Sequence, residues 1–288
     1  MGLISSAVGL VLHPERDCSV ALKTITGWAD AHQVAVLALA GEVARITAVA
    51  TTVRPHQMAE ESDLVVSLGG DGTTLRAMRL VSGYAAPVLG VNLGRLGFLA
   101  EVDVDQLSEA LSSIDQHRFT IEARSGVEAQ YLRGAAAAFN DIALVRVPGR
   151  GGSAAVELWV EGHPFVRYAA DAVVVATPTG STAYNFSAGG PIVSPNAQGL
   201  LVTPVAPHSA FNRALFLSSG ENLALEILPT SSELAIEADG RVIGYVGPGD
   251  TVDLRLLPNA AHVVRLGGTT FYQRAQRKLR LTGSVEID

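Results

Sequence analysis

The run Ser67-Leu68-Gly69-Gly70-Asp71-Gly72-Thr73 brings together residue types that can handle phosphate. Three glycines let the backbone approach a ligand closely and adopt positive φ. Asp63-Leu64-Val65-Val66, just before, is an apolar, β-branched run that reads as a buried strand. Thr74 to Val81, just after, reads as a helix with Leu75, Met78 and Val81 on one apolar stripe. The glycines therefore occupy a strand-to-helix turn. There the helix start offers unpaired N–H groups and the positive end of its dipole, a setting that suits an anion. A carboxylate inside such a loop repels the anion unless it holds a metal or accepts a proton. Asp71 is thus a candidate general base or metal-organising group. A tight turn with an Asx cap has the same composition. No lysine follows the glycines, so this is not a Walker A loop, and the spacing is not Gly-x-Gly-x-x-Gly.

A second constellation runs from Asp171 through Val173-Val174-Val175 to Thr177-Pro178-Thr179-Gly180-Ser181-Thr182-Ala183-Tyr184, then to Ser187-Ala188-Gly189-Gly190-Pro191. A buried strand leads into a dense series of hydroxyls. Hydroxyls and exposed backbone at a strand end can hydrogen-bond a ribose or an adenine edge, and Tyr184 can stack on a base; a Ser/Thr turn beside a buried tyrosine looks the same. Upstream, Asn140 and Asp141 interrupt the apolar stretch from Ala135 to Val147. Buried polar groups need partners, so a ligand or a structural hydrogen bond is implied there.

The elements that must position these groups follow from periodicity. Val8 to Leu12 is a first strand. Asp17 can cap a helix through Ala21, Ile25 and Trp28. Val34 to Leu37 is a second strand, Pro87 to Asn92 another, and Val104 to Ile114 a helix. Glu42 to Val53 carries competing helix and strand signals. Strands alternating with helices imply a doubly wound parallel sheet, an α/β N-terminal domain over 1–121, with ligands beyond the carboxyl ends of its strands. Both Gly69 to Thr73 and Asn92 to Phe98 fall at that edge. From about residue 120 alternation takes over: Val156 to Tyr168 folds back at Glu161-Gly162, Leu223 to Ile227 alternates, and Asp239-Gly240 marks a hairpin. An all-β, sandwich-like domain is predicted over 122–266. The tail, 267–288, holds a basic helix-like run from Phe271 to Arg280, read either as a solvated surface helix or as packed back on the N-terminal domain.

Composition sets bounds. Across 288 residues, 48% are hydrophobic and 17% charged, so the chain can build a large core. A net charge of −7 argues against a nucleic-acid partner while leaving room for a small anionic ligand at a local positive site. The single cysteine, Cys18, admits no disulfide framework and fits a reducing, cytoplasmic compartment. Met1-Gly2-Leu3-Ile4-Ser5-Ser6 matches an acylation pattern so short that it arises by chance. Neither a signal peptide nor a membrane-spanning segment is expected.

Taken in order, these motifs resemble the NAD kinase family. The resemblance rests on Gly-Gly-Asp-Gly-Thr at 69–73, the Asn-acid pair at 140–141 and Thr-Pro-Thr-Gly-Ser-Thr-Ala-Tyr at 177–184. Leu93 to Leu99, Ser187 to Pro191, Pro207-His208-Ser209 and Asp239-Gly240-Arg241 add to it. The first loop is shared with diacylglycerol-type lipid kinases; the 177–191 segment is the specific one. The resemblance implies an enzyme that phosphorylates the 2′-hydroxyl of the adenosine ribose of NAD, giving NADP. It implies Asp71 as the base and Gly69, Gly70, Gly72 and Thr73 as the phosphate loop. Asn140 and Asp141 would hold the adenosine ribose, and Asp171 the nicotinamide side. Thr182, Ala183, Tyr184 and Ser187 would line the adenine or nicotinamide pockets. It further implies a divalent metal, usually Mg²⁺, on the phosphates of ATP or polyphosphate, and a homodimer or homotetramer. The chain departs from the family at Thr74, where phenylalanine is usual, at Asp141, where glutamate is commoner, and at Ala172, where glycine usually follows the aspartate. Two alternatives remain open: a lipid or sugar kinase sharing only the first loop, and a non-catalytic regulatory paralogue that binds NAD or NADP.

Overall fold

The computed structural model describes residues 4, 6–46, 50–94, 97–149, 151–208 and 211–281. The acylation pattern falls largely on residues outside these, as do Arg95 and Leu96 of the second glycine cluster and Ser209 of the Pro-His-Ser landmark. The chain forms two units, Met1–Ala123 with Ala261–Asp288, and Arg124–Ala260.

In the first unit β1 (Ala7–Leu12), β2 (Ala35–Leu39), β3 (Thr51–Val53), β4 (Leu64–Gly69) and β5 (Val88–Asn92) form a parallel sheet in the order 3-2-1-4-5. The three central strands, β1, β4 and β5, are buried along their whole length. That explains why they read as unbroken apolar runs: each has both faces covered. On one face α1 (Ser19–His32) packs with α4 (Leu107–Asp115); on the other α2 (Pro55–Glu61) packs with α3 (Asp71–Leu80). Leu10, Leu12, Leu64, Val66, Leu68 and Leu89 meet Ile25, Leu107 and Leu111 in one core. A two-residue strand β6 (Val102–Asp103) extends the sheet beside β5. The ambiguous stretch from Glu42 resolves into a 3₁₀ turn, Val43–Arg45, and β3, with residues 47–49 outside the described set. No helix among the described residues is long and apolar enough to cross a membrane.

The second unit is built from antiparallel strands: β7 (Thr120–Tyr131), β8 (Gly134–Ala138), β9 (Asp141–Arg146), β10 (Ala154–Val160), β11 (His163–Ala170) and β12 (Ala172–Ala176). After a short helix α5 (Tyr184–Ser187) come β13 (Gly199–Val205), β14 (Leu215–Ser218), β15 (Leu223–Ile227), β16 (Leu234–Ala238), β17 (Arg241–Val246) and β18 (Thr251–Arg265). One sheet runs 14-13-12-9-16-17; strands 11, 10, 15 and 18 form the other layer. Ile142, Val173, Val175 and Ile236 of the first layer pack on Val156, Leu158, Leu225 and Val252 of the second. The predicted turns close as two-residue hairpins, with both Glu161-Gly162 and Asp239-Gly240 at positive φ. The run Gly134-Ala-Ala-Ala-Ala138 is a strand although alanine favours helix. Its pairing with Val127 to Tyr131 outweighs a propensity of a few tenths of a kcal/mol per residue, on the order of 0.5. The end of β18 pairs Val263 with Val88, and α6 (Phe271–Leu279) completes the first unit.

Candidate active site

The order 3-2-1-4-5 reverses between β1 and β4, and a crevice opens beyond their carboxyl ends, where open α/β sheets hold ligands. Its volume is about 1230 Å³, and its walls include His13 and Arg16 after β1 and Gly70 to Thr73 after β4. The helix starts at Asp71, three residues earlier than the periodicity predicts. Gly70 caps it in extended backbone, and its carbonyl accepts the N–H groups of Thr73 (3.0 Å) and Thr74 (3.1 Å). Gly69 is the last residue of β4, so Gly69 to Thr73 form the strand-to-helix corner itself. The loop after β1 is fixed by Arg45, whose guanidinium donates to the carbonyls of His13, Pro14 and Arg16.

Asp71 is held from three sides. The N–H of Phe98 donates to Oδ2 (3.0 Å) and that of Leu99 to Oδ1 (3.0 Å). Lys278 Nζ donates to Oδ2 at 2.9 Å. A Cβ at position 97 would stand 2.1 Å from Oδ1, so the carboxylate can lie this close to the chain only because residue 97 is glycine. Lys278 also sits over the Phe98 ring, 4.5 Å from its centroid. Arg16, Arg76, Arg79, Arg277, Lys278 and Arg280 all line the crevice, against Asp71 as its one lining carboxylate among the described residues. Arg76 is paired with Glu42. A chain of net charge −7 thus concentrates cations at one crevice, where a phosphate chain would meet them. Reading the basic tail as a solvated surface helix is therefore incorrect. α6 turns Arg277 and Lys278 into the crevice, because Arg274 on the same helix is buried against Glu101.

In the second unit the two landmark segments are woven together. Asn140 carbonyl accepts the N–H of Thr177 (2.8 Å), and Asp239 Oδ1 accepts the N–H groups of Phe139 (3.1 Å) and Asn140 (2.7 Å). Gly180 packs so closely that a Cβ there would stand 2.0 Å from the Asn140 carbonyl oxygen. Asn185, fully buried, ties the hydroxyl-rich turn: Nδ2 donates to the carbonyls of Ser181 and Pro191 (both 3.0 Å), and Oδ1 accepts from Thr203 (2.7 Å). Asp141 is buried, and its carboxyl is pushed up to about 7, first by burial and then by Asp239 and Glu237. Tyr184 lies half-buried on the outer face of the sheet, against Ala143, Val174, Ala176 and Leu201. Its phenol is shifted upward by burial and by the carboxylates of Glu237, Asp141 and Asp171. Thr182 and Ala183 are half-buried beside it and Ser187 is exposed.

Asp171 stands apart from this group. β12 pairs Ala176 with Asp141 and Ala172 with Val145, so Asp171 begins the strand whose other end meets Asp141. Its carboxylate pairs with Arg146 at 2.6 Å, both side chains being about half exposed. Sequence reasoning did not identify Lys278, Asp239 or Asn185 as site-building residues. Asp239 was visible as a hairpin residue, and Asn185 as part of the 177–191 segment.

Residues 17–119 match the ATP-NAD kinase N-terminal domain, and residues 139–266 the ATP-NAD kinase C-terminal domain. NAD kinase 1 of Streptomyces avermitilis is 37% identical over 314 residues, covering 96% of this chain and 87% of that protein. The chain belongs to the NAD kinase family. NAD kinase 1 of Streptomyces coelicolor is 35% identical, with 96% of this chain and 86% of that protein covered. Among solved structures, yeast NADH kinase complexed with NADH shares the fold at a TM-score of 0.86 and 23% identity, over 99% of this chain and 90% of that one. An NAD kinase from Archaeoglobus fulgidus in complex with ATP shares it at 0.74 and 24% identity, over 96% of this chain and all of that one. Against the NAD kinase pattern, Thr74 is a compensated departure: it is buried, and its hydroxyl pairs with Ser67 Oγ at 3.0 Å. Ala172 is buried within β12, where a methyl group fits.

Proposed function

We propose that the chain transfers the terminal phosphoryl group of ATP to the 2′-hydroxyl of the adenosine ribose of NAD, giving NADP. The observation that carries this reading is a single carboxylate, Asp71, caged by two backbone donors at the switch point of the sheet and ringed by cations. A ribose hydroxyl is a weak nucleophile. Asp71 accepts its proton as the hydroxyl oxygen bonds to the γ-phosphorus, and the bond from phosphorus to the bridging oxygen breaks, its electron pair leaving with ADP. Most of the acceleration comes from orientation and from neutralised charge. Gly69, Gly70, Gly72 and Thr73 contribute loop backbone and the start of α3; Arg16, Arg79 and Arg277 contribute positive charge.

The second unit supplies acceptor recognition in this reading. Asn140 and Asp141 offer an amide and a carboxylate to ribose hydroxyls, and Tyr184, with Thr182, Ala183 and Ser187, offers an aromatic face and small polar groups to a base. Asp171 takes the nicotinamide side. A divalent metal would arrive on the donor's phosphates: among the described residues no group of three or more His, Cys, Asp or Glu side chains could hold one, and Asp71 is the one carboxylate lining the crevice. When bound, the ion would supply charge neutralisation at the transferring phosphoryl group. Phe216 on β14 and Val242 and Tyr245 on β17 remain exposed on the two edge strands, and a homodimer or homotetramer would cover them.

The test is NADP formation from NAD, ATP and Mg²⁺, read with an NADP-specific dehydrogenase, with a polyphosphate arm beside it. NADP in either arm is the expected result and identifies the donor. No NADP in both arms, with NAD still raising the melting temperature, would replace this reading with the regulatory paralogue.

A further inference from the structure

Asp71 cannot accept a proton as it stands. A carboxylate oxygen offers two in-plane lone pairs, and on Oδ2 both are taken, by the Phe98 N–H and by Lys278. On Oδ1 one is taken by Leu99, and the oxygen lies against Gly97 so closely that even a methyl group would collide with it. The position a hydroxyl proton would take is the one that Lys278 fills.

We propose that Lys278 is a shared counter-ion. It occupies Oδ2 in the resting protein and moves to the donor's terminal phosphate when that phosphate binds, so that arrival of the donor uncovers the base. This rests on the reading of the crevice as the donor site and of Asp71 as the base. The anchoring of α6 supports it. Arg274, buried on the same helix, bonds to Glu101 and to the Thr269 carbonyl, and Glu101 also holds Arg265 (2.8 Å) and the Leu266 N–H (2.8 Å). Thr270 and Gln273 close the start of the helix with a capping box. The helix is fixed one turn away, whereas the ammonium of Lys278 rides on a flexible four-carbon stem that is one-third exposed. The crevice carries five further cations, so incoming phosphates compete with Asp71 for this one at little net loss of charge pairing. In the transfer step the acceptor oxygen bonds to the terminal phosphorus, the bridging P–O bond breaks toward the diphosphate, and the hydroxyl proton goes to the vacated side of Oδ2. Lys278 thereby takes the part that a lysine plays in a Walker A loop, from the opposite end of the chain.

The experiment measures tripolyphosphate binding by calorimetry, without turnover, in the wild type, Lys278→Met, Asp71→Asn and the double variant. A shared lysine predicts that Lys278→Met weakens binding in the Asp71→Asn background by about tenfold, since the ammonium there serves phosphate alone. A lysine that only holds Asp71 predicts no change in that background, and that result overturns the proposal. In steady state Lys278→Met should lower kcat/KM for ATP while leaving KM for NAD within about twofold. An unchanged kcat/KM for ATP would also overturn it. Methionine keeps the stem over Phe98, and Lys278→Gln repeats the test should the first variant fold poorly. Failure of the wild type to bind tripolyphosphate would instead remove the donor-site reading, and this proposal with it.

Discussion

The two halves of the chemistry are built with opposite charge. Around Asp71 one carboxylate faces six cations; around Asp141 a buried carboxyl faces Asp239 and Glu237. In the proposed reading the contrast follows from what each would bind. Phosphates carry negative charge and need donors and cations, whereas sugar hydroxyls donate hydrogen bonds and need acceptors. The halves also differ in how they are held. Asp71 is fixed by the donors that surround it, so the reactive group is its own scaffold. In the second unit the scaffold consists of separate residues, Thr177, Asn185 and Asp239, distinct from Asn140, Asp141 and Tyr184, to which the proposed reading gives the ligand.

The comparison can be broken at four places. The largest effect belongs to Asp71→Asn, which should keep the fold and NAD binding and lose turnover by about a thousandfold in the NADP assay. Near-normal activity would remove Asp71 as base. Next is Asn185→Ala, which strands two carbonyls and the Thr203 hydroxyl in a buried site. It should cost roughly 3 kcal/mol, seen as a drop of several degrees in Tm. A drop this large with NAD affinity retained in the surviving native protein would mark Asn185 as pure scaffold.

Asp141→Asn sharpens the electrostatic side. The carboxyl titrates at about 7 in the fold against an ordinary 3.8, so its stabilising contribution is whole below 3.8 and is lost as pH rises through 7. Asparagine resembles the neutral acid. The variant should melt with the wild type near pH 4, gain on it steadily up to pH 7 and keep a constant advantage above. In the wild type KM for NAD should fall as pH rises through 7, because the ionised form is the stronger acceptor for a ribose hydroxyl. A flat difference in Tm across this range would rule out the buried, neutral Asp141. The smallest effect is expected of Arg146→Ala, which opens a half-exposed pair with Asp171 and should change stability by less than about 1 kcal/mol.

What could be read from the sequence tracks how local each feature is. The strand, the glycine corner and the helix around Asp71 all lie within residues 64–80, and apolar runs with turn residues reveal them. Even so, the helix start at Asp71 was missed, since capping by Gly70 depends on backbone angles and not on a side-chain signal. Lys278 lies 207 residues from Asp71, and the basic composition of its helix is equally that of a solvated face. The resemblance gives Asp141 to the adenosine ribose and Asp171 to the nicotinamide side, without saying how far apart they stand. Antiparallel pairing of β9 with β12 sends them to different ends, a consequence of register, which alternation alone does not specify. Strands such as β8 stayed hidden because alanine offers neither branching nor an apolar contrast.

The first unit is discontinuous: its final strand segment and α6 follow the whole of the second unit along the chain. On the ribosome, every residue of Arg124–Ala260 is therefore made while the first unit still lacks Val263 beside Val88 and the Arg274–Glu101 anchor. Lys278, which covers Asp71, emerges after the whole of the second unit. A chain released before residue 278 would carry the glycine loop without the lysine set against it. Synthesis order thus places the closing of the Asp71 crevice after both the glycine loop and the second unit have been made.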